Sequence, residues 1–342
     1  MPNNTDHPLQ GKKILFFAPA FFNYEKVIKD KMVEMGATAY LYDERTVKSA
    51  FFRALNKVVP NWFNRHSNNY YHKIITKHSN ESFDYIVVIK SDMIPISTLK
   101  EIKSVFKSAQ LVLYLYDSIA DIPGIRDRIP YYDKVFTFDR EDAQTYKLGF
   151  RPLFFSDAFI GADQSRDYCY DIAFLGTIHT DRFRVLKRIM KQSNEKGWKA
   201  YWFLYLQAGF MFYWYWITKK EFKLSDRPLF TTVKKSGQDI ASIVSKTSII
   251  VDIESPGQKG LTMRNIEMIG LKKKLVTTNK DIIHYDFYNP QNICIIDRSN
   301  PIIPDSFIKL PYLDIPQEIY QLYYIESWIR DVLSLSIKNE SI

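Results

Sequence analysis

Residues 254–279 read ESPGQKGLTMRNIEMIGLKKKLVTTN. The β-branched run at residues 248–253 comes before them and is typical of a strand buried in a parallel sheet. A loop with proline and glycine follows, and Thr262 stands where a helix N-cap is expected, ahead of apolar residues at helical spacing. Gly270 suits the C-terminal turn of that helix, and residues 275–278 read as a second strand. The stretch therefore predicts strand, glycine loop, helix and strand, as in an α/β domain.

The start of this helix has the features of an anion-binding site. Gly260, Leu261 and Thr262 can offer backbone N–H groups or a hydroxyl at a helix N-terminus, where the helix dipole favours negative charge. Arg264 adds a guanidinium that suits a phosphate group. Glu267 lies one turn later on the same helix face, where a carboxylate can accept hydrogen bonds from sugar hydroxyls. We therefore expect Arg264 to contact a phosphate or diphosphate and Glu267 the hydroxyls of a sugar.

The composition narrows the class of protein. With 342 residues, 46% of them hydrophobic, the chain is long enough for two domains. The net charge of +9 favours an anionic partner, and the two cysteines, Cys169 and Cys294, argue against a disulfide scaffold.

Residues 1–13 lack the apolar core of a signal peptide, so we expect a cytoplasmic protein. Nucleic acid is not expected, since no zinc-finger or RNA-binding signature is present; a nucleotide-sugar or an anionic lipid fits the charge.

The N-terminal half predicts another parallel sheet, and three aspartates follow its strands. Residues 12–19 predict the first strand, and the loop after it contains no glycine, which excludes a dinucleotide fingerprint. Asp92, Asp117 and Asp139 each lie at the carboxyl end of a later predicted strand, at the sheet edge where open parallel sheets bind ligands. Each could instead be a helix N-cap. The cap interpretation is stronger for Asp139, whereas no clear helix start follows Asp117, so Asp117 is our candidate catalytic base, with Asp92 second.

A second α/β unit begins after the polar residues 161–166, which suit a linker. Its first strand is predicted at residues 170–175. Gly176 and Thr177 then open a loop that could approach a phosphate, with Arg182 as the charge partner, although a tight turn explains the same residues. The six histidines show no metal-ligand spacing, so we expect no metal.

Two segments suggest contact with a membrane surface. Residues 47–80 contain no acidic residue, and the basic side chains include Lys48, Arg53 and Lys57. Residues 198–217 are rich in Trp, Tyr and Phe, and of these Trp and Tyr belong to the membrane interface rather than to its hydrocarbon centre. We expect a strand at 199–206 and then a helix at 209–220, which could lie on an anionic membrane. The alternatives are a solvated basic face for the first segment and burial against the neighbouring domain for the second.

Several of these motifs together resemble one family. Gly260-Leu-Thr-Met-Arg264 with Glu267, followed by KKLVTTN up to Asn279, resembles the donor-binding segment of GT-B glycosyltransferases. Similar fragments lie elsewhere in the chain: LYDS at 115–118, VFTFD at 135–139, DIAFLGT at 171–177 and YDFY at 285–288. The chain is most similar to bacterial capsule and lipopolysaccharide glycosyltransferases related to spore-maturation glycosyltransferases. The resemblance implies that Arg264 contacts the donor diphosphate and that Glu267 contacts the ribose. The chain departs from many retaining members at Lys259, where those enzymes carry a glutamate.

The resemblance implies an architecture. It implies two Rossmann-like domains with a cleft between them and a C-terminal helix that crosses back. Residues 1–158 would bind the acceptor, residues 168–313 the nucleotide-sugar donor, and helices within residues 314–342 would pack on the first domain.

The resemblance also implies an activity. The enzyme would be a metal-independent glycosyltransferase of the hexosyl type, without a cofactor other than its nucleotide-diphosphate sugar co-substrate. It would add sugar to a glycan or lipid-linked acceptor of a surface polysaccharide or lipopolysaccharide. We expect Lys48, Arg53, Lys57 and the aromatic residues within 209–220 to hold it as a peripheral protein on the inner face of the cell membrane.

Two other functions suit the same motifs. Lys259 in place of a glutamate is compatible with a non-catalytic protein that binds glycan or lipid. A nucleotide-sugar epimerase would use the same nucleotide contacts without an acceptor. Transfer or hydrolysis of a donor would separate the enzyme from the binding protein, and epimer formation without an acceptor would identify the third function.

Overall fold

The structure is a computed structural model, and it describes residues 7–46, 60–160, 168–256 and 259–335, with side chains of the second range described from Arg65 onward. It divides into two compact units. The first contains the described residues of Met1–Pro152 and Ile325–Ile342, and the second contains those of Leu153–Tyr324.

The first unit is built on a parallel sheet of six strands within the described residues, in the order β2-β1-β3-β4-β5-β6. The strands are β1 Lys13–Ala18, β2 Thr38–Asp43, β3 Tyr85–Ile89, β4 Gln110–Leu115, β5 Lys134–Thr137 and β6 Gly149–Phe150. The helices between them are α1 Tyr24–Glu34, α2 Pro60–Lys77, α3 Ile96–Val105, α4 Ile125–Arg128 and α5 Arg140–Tyr146. The central strands β1, β3 and β4 are apolar because both of their faces are buried.

The second unit repeats this design with another parallel sheet of six described strands, in the order β12-β11-β10-β7-β8-β9. The strands are β7 Tyr170–Thr177, β8 Ala200–Tyr205, β9 Phe230–Thr231, β10 Thr247–Asp252, β11 Lys274–Thr277 and β12 Ile293–Ile295. The helices are α6 Arg182–Lys196, α7 Phe210–Thr218, α8 Gly237–Ser245, α9 Met263–Gly270, α10 Asp305–Lys309 and α11 Gln317–Leu322. The predicted succession of strand, loop, helix and strand around residues 254–279 is confirmed as β10, α9 and β11.

The chain returns to the first unit in a last described helix, α12 Ile325–Val332. Its buried residues are spaced at i, i+3, i+4 and i+7, which is the pattern of one helix face against a core: Ile325, Trp328, Ile329 and Val332. The Trp328 ring lies edge-on to Tyr114 of β4, with ring centroids 4.7 Å apart. The two Rossmann-like sheets and the returning helix confirm the predicted fold class.

Each sheet has a switch point, where the connections that leave two adjacent strands run in opposite directions across the sheet. In the first sheet it lies between β1 and β3, and in the second between β7 and β10. Ligands of open α/β sheets bind outside the carboxyl ends of the strands at such points. The switch points therefore define where a site is to be sought in each unit.

Two glycines differ from their predicted roles, one in its surroundings and the other in its position. Gly270 ends α9, as predicted, but not in a left-handed turn: a Cβ there would lie 2.4 Å from the Phe159 carbonyl oxygen and 2.6 Å from the Phe155 ring. Gly270 therefore allows close packing, and the left-handed residue of this turn is Lys272. Gly176 and Thr177 lie inside β7 rather than in the loop after it, so the expected loop begins two residues later.

The predicted membrane segments are described in part. Lys48, Arg53 and Lys57 lie outside the described residues, whereas β8 and α7 confirm the strand and helix predicted at 199–206 and 209–220. No helix in the described ranges is both long enough and apolar enough to cross a membrane.

Candidate functional site

The loop between β10 and α9 places an N-cap at the switch point of the second sheet. Thr262 is the N-cap of α9, as predicted, and its side chain accepts a hydrogen bond from the Asn265 N–H. The Thr262 hydroxyl also lies 2.9 Å from the Asp252 carboxylate at the end of β10. Gly260 and Leu261 are buried directly before the cap. These contacts attach the helix start to the strand end.

Arg264 and Glu267 form an ion pair on α9. The Arg264 Nη1 lies 2.7 Å from the Glu267 Oε2, and the Glu267 side chain is only 2% exposed. A buried carboxylate at this spacing fixes the direction of the arginine side chain. Glu267 thus holds Arg264, and its predicted contact with a ribose stays a prediction.

Arg182 joins the ends of the two strands at the switch point. Its Nε donates to the Ile253 carbonyl at 2.6 Å and its Nη1 to the Thr177 carbonyl at 2.7 Å. Burial lowers the pKa of Arg182, while the nearby Asp252 and Glu254 oppose that change. Arg182, expected from the sequence to face a phosphate, is therefore committed in part to backbone carbonyls that shape the site.

A third arginine, Arg298, was not singled out from the sequence. Together with Arg182 and Arg264 it forms the group that we call the arginine cluster. Its Nη1 lies 2.6 Å from Asp181 Oδ1, and its Nη2 lies 2.9 Å from Glu254 Oε1. The Thr278 hydroxyl donates to the other Glu254 oxygen at 2.5 Å. Arg298 follows β12 by three residues, so the rule that drew attention to Asp92 and Asp117 would have found it.

Asp252 links these groups electrostatically. Burial raises the pKa of Asp252, and Arg182 and the hydroxyl of Thr262 oppose the rise. Glu254 and Arg264 also act on it. Buried carboxylates at the end of β10 thus interact with the arginines of the cluster. These interactions keep the arginines in fixed positions before any ligand binds.

Gly176 and His179 lie beside this cluster. A Cβ on Gly176 would lie 2.9 Å from the ring of Phe174, so the residue is small for a packing reason. Burial, with the neighbouring charge of Arg182, lowers the pKa of His179 to about 4. His179 is therefore neutral at pH 7 and adds no positive charge to the cluster.

The corresponding edge of the first sheet carries carboxylates around one lysine. The Lys90 Nζ lies 2.8 Å from Asp117 Oδ2 and 3.3 Å from Asp92 Oδ2. Burial lowers the pKa of Lys90, but the attraction of Asp117 and then Asp92 outweighs it and the net change is a rise. The structure therefore brings together the two candidate catalytic residues through a lysine that the sequence had not marked.

The loop that carries Lys90 has an unusual backbone. Lys90 and Ser91 both have positive φ, at 78° and 59°. The Tyr132 hydroxyl donates to Ser91 Oγ at 2.7 Å, and Arg128 donates to the Ser91 carbonyl at 3.1 Å. Two consecutive left-handed residues that are not glycine carry a conformational cost and persist where surrounding contacts enforce them, as at many functional sites.

Asp139 has the capping role that its sequence suggested. It is the N-cap of α5, and its Oδ1 accepts from the N–H groups of Glu141 and Asp142 at 3.0 and 3.2 Å. The Ser118 hydroxyl donates to its other oxygen at 2.8 Å. Asp117 caps no helix and is half exposed beside Lys90. The structure thus separates the two aspartates into different environments.

Glu44 was also missed by the sequence analysis. It follows β2 directly and is buried next to Asp92. Within the residues that the structure describes, no group of three or more His, Cys, Asp or Glu side chains is arranged to hold a metal ion.

Comparisons with solved structures identify the fold. HepE of Anabaena, solved with UDP and glucose, has a TM-score of 0.60 and 11% sequence identity over 94% of this chain and 98% of HepE. HepE solved with UDP-glucose has the same TM-score and coverage at 10% identity. The glycosyltransferase of Rickettsia africae has a TM-score of 0.52 and 12% identity over 95% of this chain and 94% of that enzyme.

The comparisons by sequence gave no match: no protein-family model fits the chain, and no curated protein is significantly similar to it. The similarity is therefore one of architecture. With its two six-stranded parallel sheets, the chain has the two-domain GT-B fold of glycosyltransferases.

Proposed function

We propose that the protein is a glycosyltransferase that moves a sugar, expected to be a hexose, from a nucleotide-diphosphate sugar to a surface polysaccharide or lipopolysaccharide acceptor. The observation that carries the proposal is the arginine cluster at the switch point of the second sheet, in a protein with the GT-B fold. Loss of a nucleotide diphosphate builds negative charge, and fixed arginines at a helix N-terminus stabilise that charge without a metal.

Arg264 is the proposed contact of the donor diphosphate. It lies in the first turn of α9, is partly exposed, and is oriented by the buried Glu267. Gly260, Leu261 and Thr262 lie just ahead of it at the helix start. In this proposal Arg182 and Arg298 hold the strand ends and add positive potential, while Gly176 and Thr177 form the wall at the end of β7.

Asp117 is the proposed base for the acceptor hydroxyl, with Asp92 as the second choice. An inverting transfer needs a group that takes the acceptor proton as the new bond forms. Asp117 is the more exposed of the two carboxylates on Lys90, with 47% of its side chain accessible against 26% for Asp92. It is therefore the one that an acceptor hydroxyl can reach more readily.

The test is a donor screen that begins with UDP-linked sugars, because HepE was solved with UDP and with UDP-glucose. The protein is incubated with each donor, with and without glycan or lipid-linked acceptors, and nucleotide release and sugar products are measured. A glycosylated acceptor supports the proposal. An epimerised donor that forms without acceptor would identify an epimerase, and nucleotide binding without turnover of any donor would identify a binding protein.

The proposed location is the inner membrane face, and helix α7 supports it. Four large apolar residues are spaced at i, i+3, i+4 and i+7 and point away from the core: Phe210, Tyr213, Trp214 and Ile217. Trp214 is 63% exposed and Ile217 74% exposed, whereas Phe212 on the opposite face is fully buried. An apolar stripe that faces outward, with aromatic side chains in it, suits the interface of a membrane.

The charges next to this stripe select the kind of surface. Lys220 and Lys223 follow α7 and are exposed, Glu221 between them is partly buried, and residues 200–220 contain no acidic residue. Lysines beside an apolar stripe favour an anionic lipid surface, each adding about 1 kcal/mol near it. A lipid-linked acceptor would be presented at such a surface, which is why the location and the acceptor class are proposed together.

We expect the variant Trp214→Ser/Ile217→Ser to bind vesicles with 30% phosphatidylserine at least about tenfold more weakly than the unmodified protein, since burial of one large apolar side chain contributes roughly 1.5–3 kcal/mol. Vesicle flotation at low and at high salt measures this. Ile283→Ser is the control, because Ile283 is half exposed in the same unit but outside α7. Equal binding of both variants, or concentration-dependent self-association through α7 without vesicle binding, would contradict the membrane proposal.

A further inference from the structure

Within the described part of the chain, Glu44 is a carboxyl group buried with fewer hydrogen-bond partners than a carboxylate requires. It has no exposed surface, and its Oε1 accepts a hydrogen bond from the Met93 N–H at 2.8 Å. Its Oε2 is also buried and meets no donor among the described residues. An ionised carboxylate in such a place costs several kcal/mol, so the neutral form is favoured.

Asp92 also has a buried carboxylate oxygen without a donor among the described residues. Its Oδ2 faces Lys90, but its Oδ1 is buried and meets no donor in the described part of the chain. Asp92 directly precedes Met93, whose N–H donates to Glu44, and the charge of Asp92 raises the pKa of Glu44. Two carboxylate oxygens are both acceptors, so a hydrogen bond between these side chains requires a proton on one of them.

We propose that Glu44 and Asp92 share one proton, held on Glu44, and that this pair positions Lys90 beside Asp117. The positioning role rests on the proposed function, whereas the shared proton does not. The pair then carries a single negative charge. The Lys90 ammonium is attracted by this charge on one side and by the Asp117 carboxylate on the other. The lysine therefore stays between the two aspartates.

The groups around Glu44 are compatible with a neutral side chain. Burial, followed by the charge of Asp92 and the bond to it, raises the pKa of Glu44 well above its ordinary range, and only the Met93 N–H and Lys90 oppose the rise. From α2, Tyr71 donates its hydroxyl to the Glu44 carbonyl at 2.6 Å. Burial also raises the pKa of Tyr71. The Tyr71 ring therefore adds no charge near pH 7.

The remaining charged and titratable groups near the pair lie on three other segments. Arg128 of α4 donates to the Ser91 carbonyl, and Tyr132, which precedes β5, donates to Ser91 Oγ. Burial raises the pKa of Tyr70 to about 12 and raises that of Tyr132 as well, so neither is charged at pH 7. Among the described residues, Lys90 is thus the cation that pairs with Asp92. A second negative charge on Glu44 would draw it away from Asp117.

The test of the proton is Glu44→Gln. A glutamine can accept from the Met93 N–H with its amide oxygen and donate to Asp92 Oδ1 with its amide nitrogen, as the protonated glutamate does. In the unmodified protein the folded state holds a proton that the unfolded state releases above the ordinary value of 4.5. Stability of the unmodified protein therefore falls as pH rises from that value to the raised pKa of Glu44, by a factor of ten in the unfolding constant per pH unit.

Glu44→Gln carries no such proton, so its stability relative to the unmodified protein should rise tenfold per pH unit over this window. Urea unfolding of both proteins between pH 4.5 and 8 measures the difference, and parallel profiles would overturn the shared proton whether or not the protein is a glycosyltransferase. Glu81→Gln is the control. Hydrogen bonds from His78 and Lys13 lower the pKa of Glu81 to about 2, so the control should show no relative gain above pH 5.

The positioning role needs turnover as the readout. Glu44→Ala should lower kcat at least tenfold while nucleotide affinity stays the same, and Glu44→Gln should restore kcat and move the alkaline limb of the kcat profile. Full activity of Glu44→Ala, with an inactive Asp117→Asn, would overturn the positioning role. If Glu44→Ala does not fold, the alkaline limb of Glu44→Gln decides: an unchanged limb overturns the role. Absence of any transfer would instead overturn the proposed function and with it this role, leaving the stability profiles to decide the proton.

Discussion

The two sheets have the same architecture, but their carboxyl edges carry opposite chemistry. At the edge of the second sheet, Arg182, Arg264 and Arg298 are held by buried carboxylates and backbone carbonyls. At the edge of the first, carboxylates surround Lys90. The first arrangement favours an anion, and the second favours a group that gives up a proton. The fold thus supplies two similar platforms, and the side chains at the strand ends decide the use of each.

The largest expected effect is a loss of turnover when the edge of the first sheet is changed. Asp117→Asn should lower kcat by about 10²–10⁴, because loss of a general base typically costs that much, while nucleotide affinity stays the same. Steady-state kinetics with a competent acceptor, together with calorimetry of nucleotide binding, measures both. Near-normal turnover would remove Asp117 from the mechanism, and a retained anomeric configuration in the product would make a dedicated base unnecessary.

A smaller effect is expected at the second edge, in binding rather than in turnover alone. Arg264→Ala should weaken nucleotide-diphosphate binding about tenfold or more, since a charged hydrogen bond contributes roughly 1.5–3 kcal/mol. Arg227→Ala is the matched control, because Arg227 belongs to the same unit but lies over the Phe212 ring and donates to the Phe230 carbonyl of the edge strand β9. Calorimetry with both variants checks this, and unchanged affinity of Arg264→Ala would refute its assignment to the diphosphate.

The elements around these edges could be predicted because the signals are local. The apolar run before Asp252 and the cap at Thr262 predicted β10 and α9 correctly, since buried strands and helix caps depend on neighbouring residues. Even α7, with its unusual composition, was placed within two residues. The predicted membrane contact of α7 stays a prediction, although its outward apolar stripe is now observed.

The partners of the site residues could not be predicted because they come from distant parts of the chain. Glu254 meets Arg298 across 44 positions, and Glu44 meets the loop of Asp92 and Met93 across 49. Only the sheet order brings such strand ends together. A single sequence shows that a carboxylate follows a strand, but it does not show which lysine or arginine is opposite. For this reason Lys90, Glu44 and Arg298 were not singled out.

The smallest expected effect tests whether Asp117 and Asp139, two aspartates of one sheet edge, really differ. Asp139 caps α5 through two backbone N–H groups, and an asparagine oxygen can accept the same bonds. Asp139→Asn should therefore be nearly neutral in stability and activity, whereas Asp139→Ala should cost about 1 kcal/mol of folding free energy. Urea unfolding and turnover of both variants provide the comparison. The same change from Asp to Asn is therefore expected to have opposite consequences: at Asp117 it would remove the proposed base, which no amide can replace, and at Asp139 it would preserve a cap. A large loss of activity in Asp139→Asn would show that the two aspartates share one function, and the distinction between catalytic and capping residues at this edge would be wrong.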